Sequence, residues 1–193
     1  MFDEFTEPSA GYHGLVYHDV LGPAAFIAKV RIEGLRDLGS APSPFNCFQT
    51  IQGLETLSVR IKKHSENALK VAEWLEKQSQ VAWVNYPGLK SSKYYDLSQK
   101  YLKDGQSGIV TFGLKGGFDS AKKLTDSTKI FSLLANFGDS KSLIIHPSST
   151  THQQLNEEQQ KSTGVTSDLV RLSIGLEDPD DLIEDLKNAL KSL

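Results

Sequence analysis

Hydrophobic residues recur at helical spacing in two stretches of the first half of the chain. The first stretch, Pro23 to Leu38, predicts a helix that Gly39 ends. After a Pro-rich break at residues 40–44, a second pattern predicts one long helix from Phe45 to Leu75, with charged residues between its apolar positions. On this pattern His64 is expected at the charged surface. Residues 1–21 show no clean period and are predicted to be loop.

The period of the pattern changes after Gln78. Short alternating or continuous apolar runs predict four strands: Val81–Val84, Gly108–Leu114, Leu143–His146 and Leu169–Ile174. A polar helix is predicted between them at Ser91–Leu102, and short helical pieces at Phe118–Thr125 and Lys129–Leu134. Asp178 as N-cap and Pro179 at the first helical position mark a last amphipathic helix. The pattern therefore indicates an α/β fold of about four strands with helices packed on one sheet face, preceded by a long connecting helix.

Composition narrows the possible functions. The chain has 193 residues, 38% of them hydrophobic, and a net charge of −3, which gives no electrostatic case for binding nucleic acid or an anionic membrane. Its one cysteine, Cys47, is interpreted as buried core and indicates a reducing compartment. No apolar run is long enough to span a bilayer, and the acidic N-terminus lacks the features of a signal peptide. We expect a cytoplasmic protein.

Arg171 is the residue whose position most needs an explanation. It lies inside the apolar run from Leu169 to Ile174, and an unpaired buried guanidinium is costly. Strand alternation permits an arginine that points to solvent from an edge strand. The other interpretation is an arginine that binds an anion. The pattern alone leaves both open.

Four groups of motifs, in order along the chain, resemble the C-terminal half of the Cys/Met-metabolism (trans-sulfuration) family of pyridoxal-phosphate enzymes. They are Gly53–Leu57 with His64–Ala68 and Val71–Leu75; Asn85–Leu89; Asn136–Asp139 with Ser142–Pro147 and Thr150–His152; and Val170–Asp178. The resemblance runs from Gly11 to the end. Within the family, Gly11–Gly14, Leu35–Gly39 and Asn136–Asp139 are most similar to the O-acetylhomoserine sulfhydrylase branch.

The resemblance implies the small C-terminal domain of the aspartate-aminotransferase-like (type I) fold, and it implies roles for three residues. Arg171 would bind the α-carboxylate of the substrate, since a guanidinium forks onto a carboxylate with two hydrogen bonds. Asn136 would assist at the same carboxylate, unless it simply ends a helix. Thr150 would lie near the reacting end of the substrate, unless it is a turn residue. His146 and His152 are interpreted as structural.

The lysine that forms the Schiff base with pyridoxal phosphate is the missing element. In the family it lies in a Ser-x-Thr-Lys motif upstream of the residues seen here. The similar segment Asp126–Lys129 falls inside the small-domain resemblance and is interpreted as a surface turn, with Ser127 capping the next helix. Residues 1–44 are expected to be a remnant of the link from the cofactor domain, and residues 45–193 the substrate-binding domain with its leading helix.

The implied function is pyridoxal-phosphate-dependent γ-replacement on O-acetylhomoserine with sulfide, which gives homocysteine. The chain would supply the carboxylate-binding domain as a truncated form or as one part of a split enzyme, and no metal is expected. Its partners would be the amino-acid substrate, sulfide, and either a family-type homotetramer or a complementary cofactor-domain chain. Two alternatives stay open: an inactive fragment that serves as an interaction or regulatory module, and a cystathionine synthase or lyase type of enzyme.

Overall fold

The computed structural model describes residues 2–193. Its backbone contacts divide the chain into two compact units, one ending at Leu54 and one from Glu55 to Leu193. Among residues 2–193, no helix combines the length and the apolar character that crossing a membrane would require.

The first unit consists of short helical pieces: α1 (Asp3–Thr6), a 3-10 turn (Ala10–Tyr12), α2 (Tyr17–Leu21), a 3-10 turn (Gly22–Ala24), α3 (Ala25–Lys29), a π-helix (Val30–Asp37) and most of α4 (Pro44–Glu55). The prediction of loop over residues 1–21 was wrong, because helices of four or five residues show no period. The helix predicted from Pro23 to Leu38 is divided into a 3-10 segment, an α-helical segment and a π-helical segment. Pro23 lies in a 3-10 turn, and the hydrogen bonds widen to π spacing from the β-branched Val30 onward.

The long helix predicted from Phe45 to Leu75 is interrupted. Helix α4 ends at Glu55, Thr56 leaves helical geometry with φ −103° and ψ 1°, and α5 runs from Leu57 to Leu75. Gly53 and the β-branched Thr56 both lower helix propensity at this point. Cys47 lies in α4 with its side chain exposed, so its prediction as buried core was wrong: the apolar residues beside it, Phe45 and Phe48, are themselves exposed.

The second unit is built on a five-stranded mixed sheet. Its strands are β1 (Val81–Asn85), β2 (Ile109–Leu114), β3 (Ser132–Leu133), β4 (Leu143–Ile145) and β5 (Leu169–Ser173). The sheet order is β1-β2-β5-β4-β3, and every neighbouring pair is antiparallel except β3 with β4. The four predicted strands are confirmed. The helix predicted over Lys129–Leu134 was wrong, since this segment supplies the two-residue edge strand β3.

The remaining helices of the second unit are α6 (Tyr95–Tyr101), α7 (Gly117–Ser127), α8 (Glu157–Ser162) and α9 (Pro179–Lys191). Ser127 ends α7 instead of capping a following helix. Asp178 caps α9 as predicted, its side chain accepting a hydrogen bond from Asp180 N at 2.8 Å. Helix α8 was missed, although Asn156 and Gln159 form a capping box at its start.

Helix α9 contacts α5 and α7, α5 contacts β1 and β2, and α7 contacts β2 and β5; all three helices contribute side chains to the core. Strand alternation supplies the sheet side of this core: Val110, Phe112 and Leu114 from β2, and Val170 and Leu172 from β5. The helices contribute apolar residues spaced three or four apart, such as Ala68, Val71, Ala72, Leu75, Leu182, Leu186 and Leu190. The opposite face of the sheet, formed by the alternate residues, is where the candidate site lies.

Candidate functional site

Arg171 lies in the middle of β5, between two core residues. Because Val170 and Leu172 belong to the helix-side core, Arg171 belongs to the other face of the sheet. Its backbone pairs with Thr111 of β2 on one side and Ile145 of β4 on the other, so β5 is a central strand. The interpretation of Arg171 as an edge-strand residue is therefore wrong.

The guanidinium of Arg171 is held by a backbone carbonyl. Its Nη2 donates a hydrogen bond to Asn136 O at 3.2 Å. Within the residues that the structure describes, no carboxylate lies within ion-pairing distance of Arg171. A half-buried cation whose orientation is set by one carbonyl retains donors for an anion, and the guanidinium fork matches a carboxylate.

Asn136 lies in the loop between β3 and β4, and the part of this loop from Asn136 to Ser142 passes beside β5. Gly138, with a positive φ of 72°, donates its backbone N–H to Ser173 Oγ at 3.3 Å. Leu176 N donates to Ser140 O at 2.8 Å. The structure thus brings Arg171 and Asn136 together, but through the main-chain oxygen of Asn136. The Asn136 side chain is exposed.

Thr150 does not reach Arg171 or Asn136 by any hydrogen bond in the described part of the chain. It follows the 3-10 turn Pro147–Ser149, and its Oγ1 donates to His146 O at 2.8 Å. This contact satisfies a turn carbonyl, the local role that sequence reasoning offered as the alternative. A part in substrate binding stays a prediction for Thr150.

His146 is buried within the second unit. Its Nε2 lies 2.8 Å from Ser167 O, which can only accept, so Nε2 carries the proton and Nδ1 accepts from the Ser149 hydroxyl at 2.8 Å. Burial lowers the pKa of His146 below its ordinary value. His152 is half-buried, and its backbone carbonyl accepts from Gln160 Nε2 at 2.9 Å. Both histidines have the contacts of structural residues.

His64 and Asn67 of α5 lie beside the segment that follows β5, and the prediction of His64 at the charged surface was wrong. His64 is only 2% exposed, and its Nδ1 lies 2.6 Å from Ile174 O. Asn67 Nδ2 donates to the carbonyls of Gly175 and Glu177 at 3.0 and 2.8 Å. Helix α5 therefore holds the chain that follows β5. The sequence did contain a signal for the burial of His64, because His64 lies four residues before Ala68 and eight before Ala72, on the buried side of α5.

The fit to pyridoxal phosphate can be judged at the Asp126–Lys129 segment. The backbone N–H groups of Lys129, Ile130 and Phe131 all donate to the carboxylate of Asp185, which belongs to α9. Helix α9 packs on the helix-side core, whereas Arg171 belongs to the other face of the sheet. Lys129 therefore does not fit the role of a Schiff-base lysine, while Arg171 on the other face keeps hydrogen-bond donors that suit an anion. No cluster of three or more metal-ligating side chains occurs among residues 2–193.

A mixed sheet covered by helices on one face, with Arg171 on the other, defines a domain of the α/β class. Residues 13–191 match the family of Cys/Met metabolism PLP-dependent enzymes, and the chain belongs to this family. The family prediction and the α/β small-domain prediction are confirmed.

Individual relatives point to one branch of the family. The chain is 54% identical to an O-acetyl-L-homoserine sulfhydrylase of Leptospira meyeri, over 100% of this chain and 46% of the relative. It is 47% identical to a homocysteine synthase of Schizosaccharomyces pombe, over 98% of this chain and 44% of the relative.

A solved structure resembles this chain over the same extent. It is named as an O-acetylhomoserine (thiol)-lyase of Campylobacter jejuni and contains N′-pyridoxyl-lysine-5′-monophosphate. It superposes with a TM-score of 0.84 at 48% identity, over 98% of this chain and 45% of that one. The chain thus spans a little under half the length of the proteins it matches.

Proposed function

We propose that this chain is the substrate-binding part of a pyridoxal-phosphate-dependent enzyme that makes homocysteine from O-acetylhomoserine and sulfide. The observation that carries the proposal is the state of Arg171, a half-buried cation with a carbonyl partner and no ion-paired carboxylate among the described residues. The names of the relatives supply the substrate, and the family supplies the cofactor.

On this proposal, Arg171 binds the α-carboxylate of the amino acid through both arms of its guanidinium. A charge-assisted pair of this kind contributes about 1.5–3 kcal/mol of binding. The Asn136 side chain assists at the same carboxylate, and Thr150 lies toward the γ-carbon, where acetate leaves and sulfide adds. Pyridoxal phosphate, when bound, supplies the electron sink for this replacement. Its Schiff-base lysine is then provided by a segment other than Lys129.

The proposal also assigns roles to the two parts of the chain. Residues 1–44 would link this domain to the cofactor domain, and residues 45–193 would form the substrate domain. Large apolar side chains such as Phe26 (64% exposed), Leu38 (79%) and Phe48 (57%) suit a surface that another protein segment covers. That segment would be the cofactor domain, or a neighbouring subunit in a homotetramer.

Arginine variants of the complete, cofactor-loaded enzyme test the carboxylate role. Arg171→Ala should lower kcat/KM for O-acetylhomoserine about 10- to 150-fold, the equivalent of one charge-assisted pair. Arg171→Lys should fall between, because it keeps the charge and loses the fork. Lys187→Ala, which removes an exposed cation on α9, is the matched control. An Arg171→Ala enzyme with the kinetics of the control would rule out the proposed role.

Borohydride reduction of the 193-residue chain mixed with pyridoxal phosphate tests the assignment of the lysine. We expect no stoichiometric labelling of any single lysine by peptide mass. Stoichiometric labelling of Lys129 would show that the chain forms the Schiff base by itself, contrary to the proposal.

A further inference from the structure

Glu177 and Ser142 form a two-point bridge beside the Arg171 site. Glu177 Oε1 accepts from the backbone N–H of Ser142 at 2.7 Å, and Oε2 accepts from its hydroxyl at 2.8 Å. The Ser142 oxygen in turn accepts from Gly175 N at 2.8 Å. Ser142 is fully buried, so these bonds form a short chain of donors and acceptors in a low-dielectric environment, where each bond strengthens the next.

This bridge anchors one end of the loop whose other end orients Arg171. The loop from Asn136 to Ser142 contacts the β5 segment at three further points: Gly138 N to Ser173 Oγ at 3.3 Å, Ser140 O to Leu176 N at 2.8 Å, and Asn136 O to Arg171 Nη2 at 3.2 Å. The position of the Asn136 carbonyl, and with it the direction of the guanidinium, therefore depends on how firmly this loop is held.

The approach of the loop to the chain after β5 is too close for a side chain at Gly175. A Cβ atom there would lie 2.4 Å from Ser140 O and 2.6 Å from Ser142 N. From the other side, His64 and Asn67 of α5 bind the carbonyls of residues 174, 175 and 177. The backbone that carries Glu177 is thus held by α5, and its carboxylate transmits that constraint to the loop.

A carboxylate suits this bridge better than an amide does. Glu177 is half-buried, and no basic side chain lies within ion-pairing distance of it in the described part of the chain. Its charge is balanced by two hydrogen bonds from one residue, and an ionised carboxylate accepts such bonds more strongly than an amide does.

We propose that Glu177 is a positioning residue for the substrate-carboxylate site, acting through Ser142 and the Asn136–Ser142 loop on the guanidinium of Arg171. The inference rests on the proposed function of Arg171. It explains why a glutamate stands six residues after the arginine, and it separates Glu177 from Asp178, which caps α9.

Steady-state kinetics of the complete, cofactor-loaded enzyme test the coupling. Glu177→Ala should raise KM for O-acetylhomoserine about 3- to 10-fold, the equivalent of one ordinary hydrogen bond, with a smaller change in kcat. Glu177→Gln keeps one acceptor for Ser142 N–H and should recover at least half of that loss on a logarithmic scale. In an Arg171→Ala background, Glu177→Ala should add little, because the group it positions is gone. Glu184→Ala, at an exposed acid on α9, is the control.

Amide hydrogen exchange of the 193-residue chain tests the geometry without catalysis. In Glu177→Ala, the amides of Ser142 and Gly138 should exchange about 3- to 10-fold faster, while those of Val110 and Phe112 in β2 keep their rates. If Glu177→Ala fails to fold, Ser142→Ala replaces it. This variant removes both contacts of the hydroxyl, the one to Glu177 Oε2 and the one from Gly175 N, and keeps the backbone contact to Glu177 Oε1.

The outcomes distinguish failure of the Glu177 inference from failure of the proposed function on which it rests. If Arg171→Ala lowers kcat/KM but Glu177→Ala behaves like Glu184→Ala, Glu177 does not position the site and only the inference fails. The same holds if the effects of the two substitutions on kcat/KM multiply fully in the double variant. If Arg171→Ala itself leaves kcat/KM unchanged, the proposed function fails, and the inference fails with it. If the effects of Arg171→Ala and Glu177→Ala do not multiply in the double variant, and the amides of the Asn136–Ser142 loop exchange faster in Glu177→Ala, the results support both the inference and the proposed function.

Discussion

His146 shows how burial determines the chemistry available to a single residue. The residue is 1% exposed, its ring packs edge-on to Phe118 at 4.8 Å between centroids, and both ring nitrogens bind neutral partners. Burial lowers its pKa, so the folded protein resists protonating it. A neutral histidine with both nitrogens occupied is a structural connector between the turn after β4 and the residues before β5.

This burial gives a prediction for the pH dependence of stability. Below the ordinary histidine pKa of 6.5, the unfolded chain binds a proton at this position that the folded chain does not. The free energy of unfolding should therefore fall as the pH drops from 6.5 toward the lowered pKa, by at most about 1.4 kcal/mol per pH unit from this residue. Urea titrations between pH 7.5 and 5 measure the slope.

The variant for this measurement is His146→Gln, which should flatten the slope in that window. His152→Gln controls for the loss of a histidine as such. An unchanged slope in His146→Gln, with a histidine proton resonance that titrates at or above pH 6.5, would contradict the assignment.

At the residue scale, the motif singles out Arg171, and its role at a site stays a prediction. The carbonyl partner of Arg171 could not be predicted, since Asn136 lies 35 positions away along the chain and reaches Arg171 only through the fold. His64 was assigned to the surface because lysines surround it in sequence. His64 is instead buried, because it lies on the apolar stripe of α5 and its ring binds the buried carbonyl of Ile174.

An acidic residue of α9, Asp185, connects this helix to the segment between α7 and β3. The Asp185 carboxylate accepts the backbone N–H groups of three consecutive residues, Lys129 to Phe131, and its side chain is 8% exposed. These residues lie between α7 and β3. Asp185 therefore stops the chain from continuing as a helix and directs it into the edge strand, which is why the predicted helix over Lys129–Leu134 does not form.

Removing this carboxylate should be strongly destabilising. Asp185→Ala leaves three backbone donors without their acceptor, and we expect a loss of about 2–4 kcal/mol in the free energy of unfolding. Asp185→Asn keeps one acceptor oxygen and should lose less. Urea unfolding followed by circular dichroism measures both, with Glu184→Gln on the neighbouring exposed position as control. If Asp185→Ala lowers the free energy of unfolding no more than the control does, the three hydrogen bonds do not stabilise the fold.

The elements that sequence predicted well are those whose signals are local. Asp178 and Pro179 mark the start of α9, and the alternating β2 and β5 segments satisfy a two-sided pattern within five or six residues. The elements that were missed depend on distant partners. Strand β3 is two residues long and exists through pairing with β4, and the break at Thr56 divides a continuous apolar pattern.

At the scale of the whole molecule, the two units differ in how much core they bury. Among residues 2–54, the buried hydrophobic side chains are Tyr17 and Ala25, whereas the second unit encloses a cluster of twenty-one. Phe26, Leu38 and Phe48 of the first unit are more than half exposed. A segment with so little core gains little free energy from folding by itself.

We expect the two units to have separate stabilities in the isolated 193-residue chain. In hydrogen–deuterium exchange followed by mass spectrometry, peptides from residues 13–54 should exchange within seconds to minutes. Peptides from β2, β5 and α9 should be protected for hours, because they open only with the whole second unit. In the complete enzyme, the first unit should gain protection, since the cofactor domain or a neighbouring subunit would cover its apolar side chains. Equal protection of both units in the isolated chain would show that the first unit is stable without a partner, and would favour the interaction module over the enzyme part.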